Sequence, residues 1–285
     1  MAYGKSIELF LVNGTADSLI IAELSNWNGK AIKIPRIEVS SCERDDIVQA
    51  GVYFLFCKED DGSDSVYIGE AENVKERLVQ HLRDYQSEKE KYYWSTAVVF
   101  IGRDLNKALI RYLENRFVEI ARASKRYLVL TKNTYRNTVM KESQVAVMDE
   151  FVDNVKILIN ALGYKVLVPF AQVDSSTATV DDELLYITSG SVNATGKVTA
   201  EGFVVFAGAV IEKTSRKSLS AGIQKQRQKL FESSKVDNLM TTEDILFSSS
   251  SAAAGFILGC NVSGPIKWKT EDGRTLKEIE SKQTN

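Results

Sequence analysis

Histidine is almost missing: His81 is the only one in 285 residues. That excludes sites built from several histidines, including the HExxH zinc-protease pattern. Cysteine is nearly as scarce. Cys42, Cys57 and Cys260 lie far apart and form no CxxC pair, so a structural zinc site is not expected. So sparse and odd a set fits a reducing compartment better than a disulfide scaffold. Proline occurs only at Pro35, Pro169 and Pro265, so domain boundaries have to be sought in composition. No stretch approaches the ~18 uninterrupted apolar residues of a membrane span. The start, Met1-Ala2-Tyr3-Gly4-Lys5, lacks the apolar core of a secretory signal. A cytoplasmic protein with no membrane partner is therefore expected. A basic excess is missing too: the net charge is −2. The simplest compositional mark of nucleic-acid binding is thus absent from the chain as a whole.

What is present is ordinary globular material, with 44% hydrophobic and 26% charged residues. This argues against disorder and against a fibre. The length suits two domains better than one, since domains run to ~100–200 residues. Ile7–Val12, Leu19–Leu24 and Ala31–Ile34 read as strands of a small antiparallel element. Val52–Phe56 and Val66–Ile68 flank an Asp60-Asp61-Gly62-Ser63 turn and read as a hairpin. Asn73 followed three residues later by Glu76 opens a helix carrying Val74, Leu78 and Leu82 on one face. A strand through Ala97–Ile101 and a long helix from about Asp104, with Leu109, Leu113, Phe117 and Ile120, come next. Residues 142–161 read as a further amphipathic helix stopped at Gly163, and the stretch Asp174–Asp182 as a linker. Beyond it, Leu185–Thr188 and Gly202–Phe206 read as strands, Lys213–Phe231 as a basic helical region and Ala252–Leu258 as a helix. The expectation is a mixed α/β (α+β) protein. A small antiparallel sheet flanked by helices would span residues 48–135. A β-element would precede it over 1–47, a helix and linker would follow over 136–182, and a separate C-terminal α+β domain would span 183–285.

The chemistry-bearing residues fall in the middle of the chain. The hairpin puts Tyr53 and Tyr67 on neighbouring strands. Arg77 and His81, spaced i,i+4, share one side of a helix, next to its apolar stripe. Glu114 lies at the margin of the long helix's apolar face. Phenols, a guanidinium, an imidazole and a carboxylate around one sheet edge suit phosphodiester hydrolysis. A carboxylate binds a hard divalent cation such as Mg²⁺. The cation polarises a phosphate oxygen and lowers the pKa of bound water. Arginine stabilises the developing charge by a bidentate contact. Taken singly, each residue has a plain reading: half-buried strand tyrosines, a solvated arginine, a boundary histidine, a surface carboxylate. Their joint occurrence in order outweighs those readings.

At these positions the chain resembles the GIY-YIG nuclease superfamily. The two motifs stand as Gly51-Val52-Tyr53 and Tyr67-Ile68-Gly69, and Tyr67–Leu78 looks like the corresponding run of the excinuclease branch of that superfamily. The resemblance covers roughly residues 50–135. It implies catalytic roles for Tyr53, Tyr67, Arg77, His81 and Glu114, and for Asn133 in Leu130-Thr131-Lys132-Asn133. It also implies Mg²⁺ or Mn²⁺ held by Glu114. Arg77 would grip the phosphate, and His81 would serve as phosphate ligand or proton relay. Either tyrosine would deprotonate or orient the attacking water, its pKa lowered by the neighbouring Arg77. One departure is Glu70, where the family often carries lysine; another is the acidic hairpin with Glu59, Asp60, Asp61 and Asp64.

The near-zero net charge hides an internal division. Residues 1–74 hold 6 Lys and Arg against 13 Asp and Glu, whereas residues 75–136 hold 14 against 7. The basic excess falls on the segment with Arg77 and Glu114. Arg103, Lys107, Arg111, Arg122, Lys125, Arg126, Lys132 and Arg136 are candidates for backbone phosphates, each with a solvated helix face as its plain alternative. In the C-terminal domain six cations without an acid lie between Lys213 and Lys229, among them Lys225 and Arg227. Ser250–Gly259, Trp268-Lys269 and Asp272–Leu276 resemble a domain of unknown function often found after GIY-YIG domains. They are more distantly similar to a restriction-associated domain proposed to read modified DNA. Both imply a targeting module, with Trp268 reading as core. The partner implied is DNA, with RNA open to the same chemistry. Two alternatives stand beside an active nuclease. One is a nucleic-acid-binding protein on an inactive scaffold. The other is a nuclease component, in a homo-oligomer or with a protein partner, activated by docking on the N-terminal element.

Overall fold

The computed structural model describes residues 3–60, 62–132, 139–170 and 183–283. The architecture is mixed α and β, and no helix among the described residues is long and apolar enough to cross a membrane. The chain divides into two compact units, Met1–Pro169 and Phe170–Asn285. The stretch Asp174–Asp182, read as a linker, lies outside the described residues.

The first unit is built on a seven-stranded sheet. Its strands are β1 (Ile7–Leu11), β2 (Ile20–Leu24), β3 (Lys30–Pro35), β4 (Gly51–Lys58), β5 (Asp64–Ala71), β6 (Trp94–Ile101) and β7 (Leu128–Val129). Their spatial order is β1-β2-β3-β6-β4-β5-β7, and every pair is antiparallel except β5 with β7. The N-terminal strands are thus part of the same sheet as the hairpin, joined to it through the β3–β6 pairing. β4 reads Gly-Val-Tyr-Phe-Leu-Phe-Cys and is buried at all seven of those positions. A near-continuous apolar strand of this kind is what a sheet covered on both faces demands.

Side chains alternate across the sheet, and the two faces are covered by different helices. Val52, Phe54 and Phe56 join a cluster with α2 (Lys107–Ser124) and α3 (Glu142–Ala161), through Leu113, Phe117, Phe151 and Val155. Tyr53, Leu55 and Cys57 join the opposite cluster, with Val74 and Leu78 of α1 (Val74–Gln86). Helix α1 starts where Asn73 accepts a hydrogen bond from the backbone N–H of Glu76 at 3.2 Å. Helix α2 starts at Lys107 rather than near Asp104. The Asn106 side chain caps the N–H groups of Ala108 and Leu109, while Asp104 has φ +65°, incompatible with a helix. Helix α3 ends before Gly163, whose φ of +93° suits glycine alone.

The second unit holds an antiparallel sheet, β13-β10-β9-β8, formed by β8 (Leu185–Ser189), β9 (Val192–Thr199), β10 (Gly202–Val205) and β13 (Ile245–Phe247). The hairpin β11 (Val236–Asp237) and β12 (Met240–Thr241) stands beside it, with helices α4 (Ala221–Glu232), α5 (Ser250–Leu258), α6 (Gly264–Lys267) and α7 (Leu276–Gln283). Helix α5 contributes Ala253, Ala254, Phe256 and Ile257 to the core, where Trp268 is fully buried against Phe203. The Trp268 indole N–H donates to the Ser250 carbonyl at 2.9 Å. Trp268 is therefore core. The basic helical region is shorter than the composition suggests. It becomes helix only from Ala221, after Ser220 caps the Ile223 N–H.

Candidate functional site

β4 and β5 run antiparallel with Tyr53 opposite Gly69 and Leu55 opposite Tyr67. That register places both tyrosines on the α1 side of the sheet, their rings stacked at 6.3 Å between centroids. The Tyr53 ring leans over Gly69. A Cβ added there would lie 2.4 Å from the Tyr53 hydroxyl oxygen and 2.9 Å from Cε1 of Tyr67. Glycine at this position is thus a packing requirement of the tyrosine pair.

Helix α1 delivers Arg77 and His81 onto the two rings. The Arg77 Nε–H donates to the Tyr53 hydroxyl oxygen at 3.3 Å, and His81 Nε2 lies 2.9 Å from the same oxygen. His81 is fully buried, packed edge-on to both tyrosines. It does not reach the surface, which corrects the expectation of a direct phosphate ligand. Tyr53 is closed off as well, at 1% exposure, whereas Tyr67 is half-buried. Arg77 pulls both phenols' pKa values down, as expected, but not below the ordinary tyrosine value. Burial pushes Tyr53 and Tyr67 up, and the guanidinium offsets this only in part. Neither phenol is an ionised base at rest.

Glu114 comes from α2, across the sheet edge from α1. It is 6% exposed, and its Oε2 is buried without a hydrogen-bond partner. Burial raises its pKa to about 7, helped by the charge of Glu70 and opposed by Lys107, Arg111 and Arg77. A buried, under-coordinated carboxylate oxygen fits a hard divalent cation. Among the described residues no three His, Cys, Asp or Glu side chains cluster as a metal cage. A cation held by Glu114 would keep several waters, as Mg²⁺ usually does.

Glu70 faces α2, as alternation along β5 requires. Its side chain is 4% exposed, with the Lys107 ammonium at 2.9 Å and Arg111 Nε at 3.8 Å. Lys107 and Arg111, candidates for backbone phosphates by sequence, are partly exposed and have the buried Glu70 carboxylate as a counter-charge. The acidic residue at position 70 is thus balanced by α2.

The other candidates separate in the same way. Arg103 and Lys132 are exposed. Arg122 donates to the Thr131 carbonyl at 2.6 Å and Arg126 to the Val168 carbonyl at 2.5 Å, so both brace the fold. Asn133, like Arg136, lies outside the described residues. Its neighbour Thr131 locks the outer edge of β5, accepting from the Ile68 N–H at 2.8 Å and donating to the Ile68 carbonyl at 2.7 Å. In the second unit Lys225 is exposed, but Arg227 is not a surface cation. It is 4% exposed and donates to the carbonyls of Phe256 and Glu212. Its period on α4 carries it onto the core face with Leu230, which corrects its candidacy as a phosphate contact.

One residue of the site carries no sequence signal. Glu90, in the loop after α1, places Oε1 2.6 Å from His81 Nδ1. It belongs to an unremarkable Lys-Glu-Lys stretch, and only the return of that loop onto the helix brings it inward.

Residues 185–280 match a family described as a domain of unknown function (DUF4357). The match lies within the second unit and includes none of the tyrosine site. No curated protein matches the chain, and no solved structure does.

Proposed function

We propose that the chain is a metal-dependent endonuclease of GIY-YIG type that hydrolyses phosphodiester bonds in DNA, its C-terminal unit selecting the substrate. The observation that carries the reading is the packing of Tyr53 and Tyr67 over Gly69 with Arg77 3.3 Å from the Tyr53 hydroxyl. The two tripeptides that carry the resemblance pair with one another in adjacent strands. The unpartnered oxygen of Glu114 supports a Mg²⁺ or Mn²⁺ requirement. Bound there, the cation would supply Lewis-acid polarisation of phosphate and acidification of water. The remaining work falls to the chain itself. Arg77 binds the scissile phosphate and balances the charge that builds on it. Tyr67, the less buried of the two phenols, orients the attacking water. Tyr53 and His81 hold Arg77 from behind. Exposed cations such as Arg103, Lys132 and Lys225 would meet backbone phosphates.

The test is a cleavage panel of single-stranded, double-stranded, branched and modified DNA, with RNA alongside, in Mg²⁺ or Mn²⁺. Metal-dependent cutting that is lost in both Arg77→Ala and Glu114→Ala is the expected result. Absence of cutting on every substrate, or cutting that survives both substitutions, removes the assignment.

A second reading is a nucleic-acid-binding protein with weak or no chemistry. The Glu70–Lys107 pair favours it, since a carboxylate replaces a cation beside the site and neutralises another. Gel shifts without metal, run beside the cleavage assay, separate the two: binding without cutting selects this reading.

A further inference from the structure

A buried polar chain runs behind the tyrosine pair. Glu90 Oε1 lies 2.6 Å from His81 Nδ1, His81 Nε2 lies 2.9 Å from the Tyr53 hydroxyl, and Arg77 Nε lies 3.3 Å from that hydroxyl. Glu90 is held there by its own backbone, whose N–H donates to the Asp84 carbonyl at 3.2 Å. The His81 side chain is sealed from solvent, whereas that of Glu90 is 15% exposed, with its Oε2 buried and without a hydrogen-bond partner.

Proton counting gives this chain a direction. An ionised carboxylate only accepts, so Nδ1 carries the imidazole proton. The neutral ring then has a lone pair at Nε2 and accepts from the Tyr53 hydroxyl. With its hydrogen committed to the imidazole, the Tyr53 oxygen turns its lone pairs towards Arg77 and accepts from Nε–H. We propose that Glu90 is a positioning residue. By fixing His81 as the Nδ1–H tautomer it orients a carboxylate–imidazole–phenol–guanidinium chain that aims Arg77 at the phosphodiester. The phosphodiester rests on the nuclease reading, but the chain and its direction do not.

The groups around the imidazole support a neutral ring. Burial and the guanidiniums of Arg77 and Arg36 lower the His81 pKa to about 3. Glu90 is itself raised by burial and by Asp84, against Arg77, Tyr92 and Arg36. A protonated Glu90 would reverse the chain, with its O–H donating to Nδ1 and Nε2–H donating to Tyr53. The two directions leave opposite signatures on one ring.

His81 is the only histidine, so ¹⁵N-histidine labelling of the full chain yields a single imidazole to read by long-range ¹H–¹⁵N correlation. The expected spectrum at pH 7 is the neutral Nδ1–H tautomer, with a strongly downfield Nδ1 proton, unchanged down to pH 5. An Nε2–H tautomer, or an imidazolium at pH 7, overturns the proposal whatever the activity. In Glu90→Leu the tautomer preference is expected to be lost and exchange of the Arg77 Nε–H to accelerate. DNA cleavage is expected to fall by about tenfold or more in kcat with little change in KM, as for a displaced catalytic group. Glu90→Gln keeps an acceptor oxygen and is expected to retain the Nδ1–H tautomer and most of the activity. It also decides the matter if the leucine variant does not fold, since a glutamine variant with the reversed tautomer and full activity overturns the positioning role. An unchanged Arg77 Nε–H exchange rate in Glu90→Leu does so as well. If no substrate is cut while the tautomer and the Arg77 exchange behave as stated, the chain stands and the nuclease reading falls.

Discussion

Replacing Gly69 with alanine tests the packing of the tyrosine site with one methyl group. The new Cβ would lie 2.4 Å from the Tyr53 hydroxyl oxygen and 2.6 Å from its Cζ, so ordinary contact requires the ring to retreat by about 1 Å. The ring is 1% exposed and has no open space to enter. Retreat stretches the 2.9 Å contact to His81 and the 3.3 Å contact to Arg77. Overpacking costs ~1–3 kcal/mol, and a weakened buried hydrogen bond adds ~1 kcal/mol. Removing a strand glycine returns ~0.5–1 kcal/mol. The net loss is ~1–3 kcal/mol, which at a urea dependence of ~2 kcal/mol per M lowers the unfolding midpoint of the first unit by ~0.5–1.5 M. Displacing Arg77's support by about 1 Å is expected to reduce cleavage ~100-fold. Urea titration of the full chain, with cleavage measured in parallel, reads both quantities. An unchanged midpoint together with full activity would refute the argument that the tyrosine pair requires glycine here.

Glu114→Gln is expected to abolish metal-dependent cleavage while leaving DNA affinity in a gel shift nearly intact; loss of binding instead would assign Glu114 a positioning role. Because the Glu114 pKa is raised to about 7, Mn²⁺ affinity is expected to rise about tenfold per pH unit below 7 and to level off above it, measured by calorimetry. The same raised pKa stabilises the fold fully below the ordinary carboxylate value, and that contribution is lost as pH rises through 7. Glu114→Gln should therefore match the native protein in melting temperature at pH 4 and exceed it at pH 8. Arg227→Met is expected to destabilise the second unit by ~1–3 kcal/mol, since it removes the donors to the buried Phe256 carbonyl and the part-buried Glu212 carbonyl. Lys225→Ala should leave stability alone and reduce the salt dependence of DNA binding by about one phosphate contact. Asn73→Ala, which removes the α1 cap beside Arg77, is expected to cost ~1 kcal/mol in thermal unfolding.

Local pattern made much of the first unit legible. The hairpin of β4 and β5, the Asn73 cap and the α3 stop at Gly163 are all written in adjacent residues. The second unit was less legible. Strand β9 reads Val-Asn-Ala-Thr-Gly-Lys-Val-Thr, too polar and too interrupted to stand out, and is held by pairing on both sides with β8 and β10. The basic stretch from Lys213 suggests one helix by composition, yet helix begins only at the Ser220 cap.

Spacing along the chain was enough to bring Tyr53, Tyr67, Arg77 and His81 together, because a short hairpin and one helical turn leave little freedom between them. Spacing says nothing about depth. Whether His81 and Arg227 face solvent or core, and whether the phenols rise or fall in pKa, is decided by what covers them. Glu90 and the Glu70–Lys107 pair are the clearest cases. Their partners lie 9 and 37 residues away, and a charge has no fixed role until packing decides whether its nearest opposite is water or another side chain.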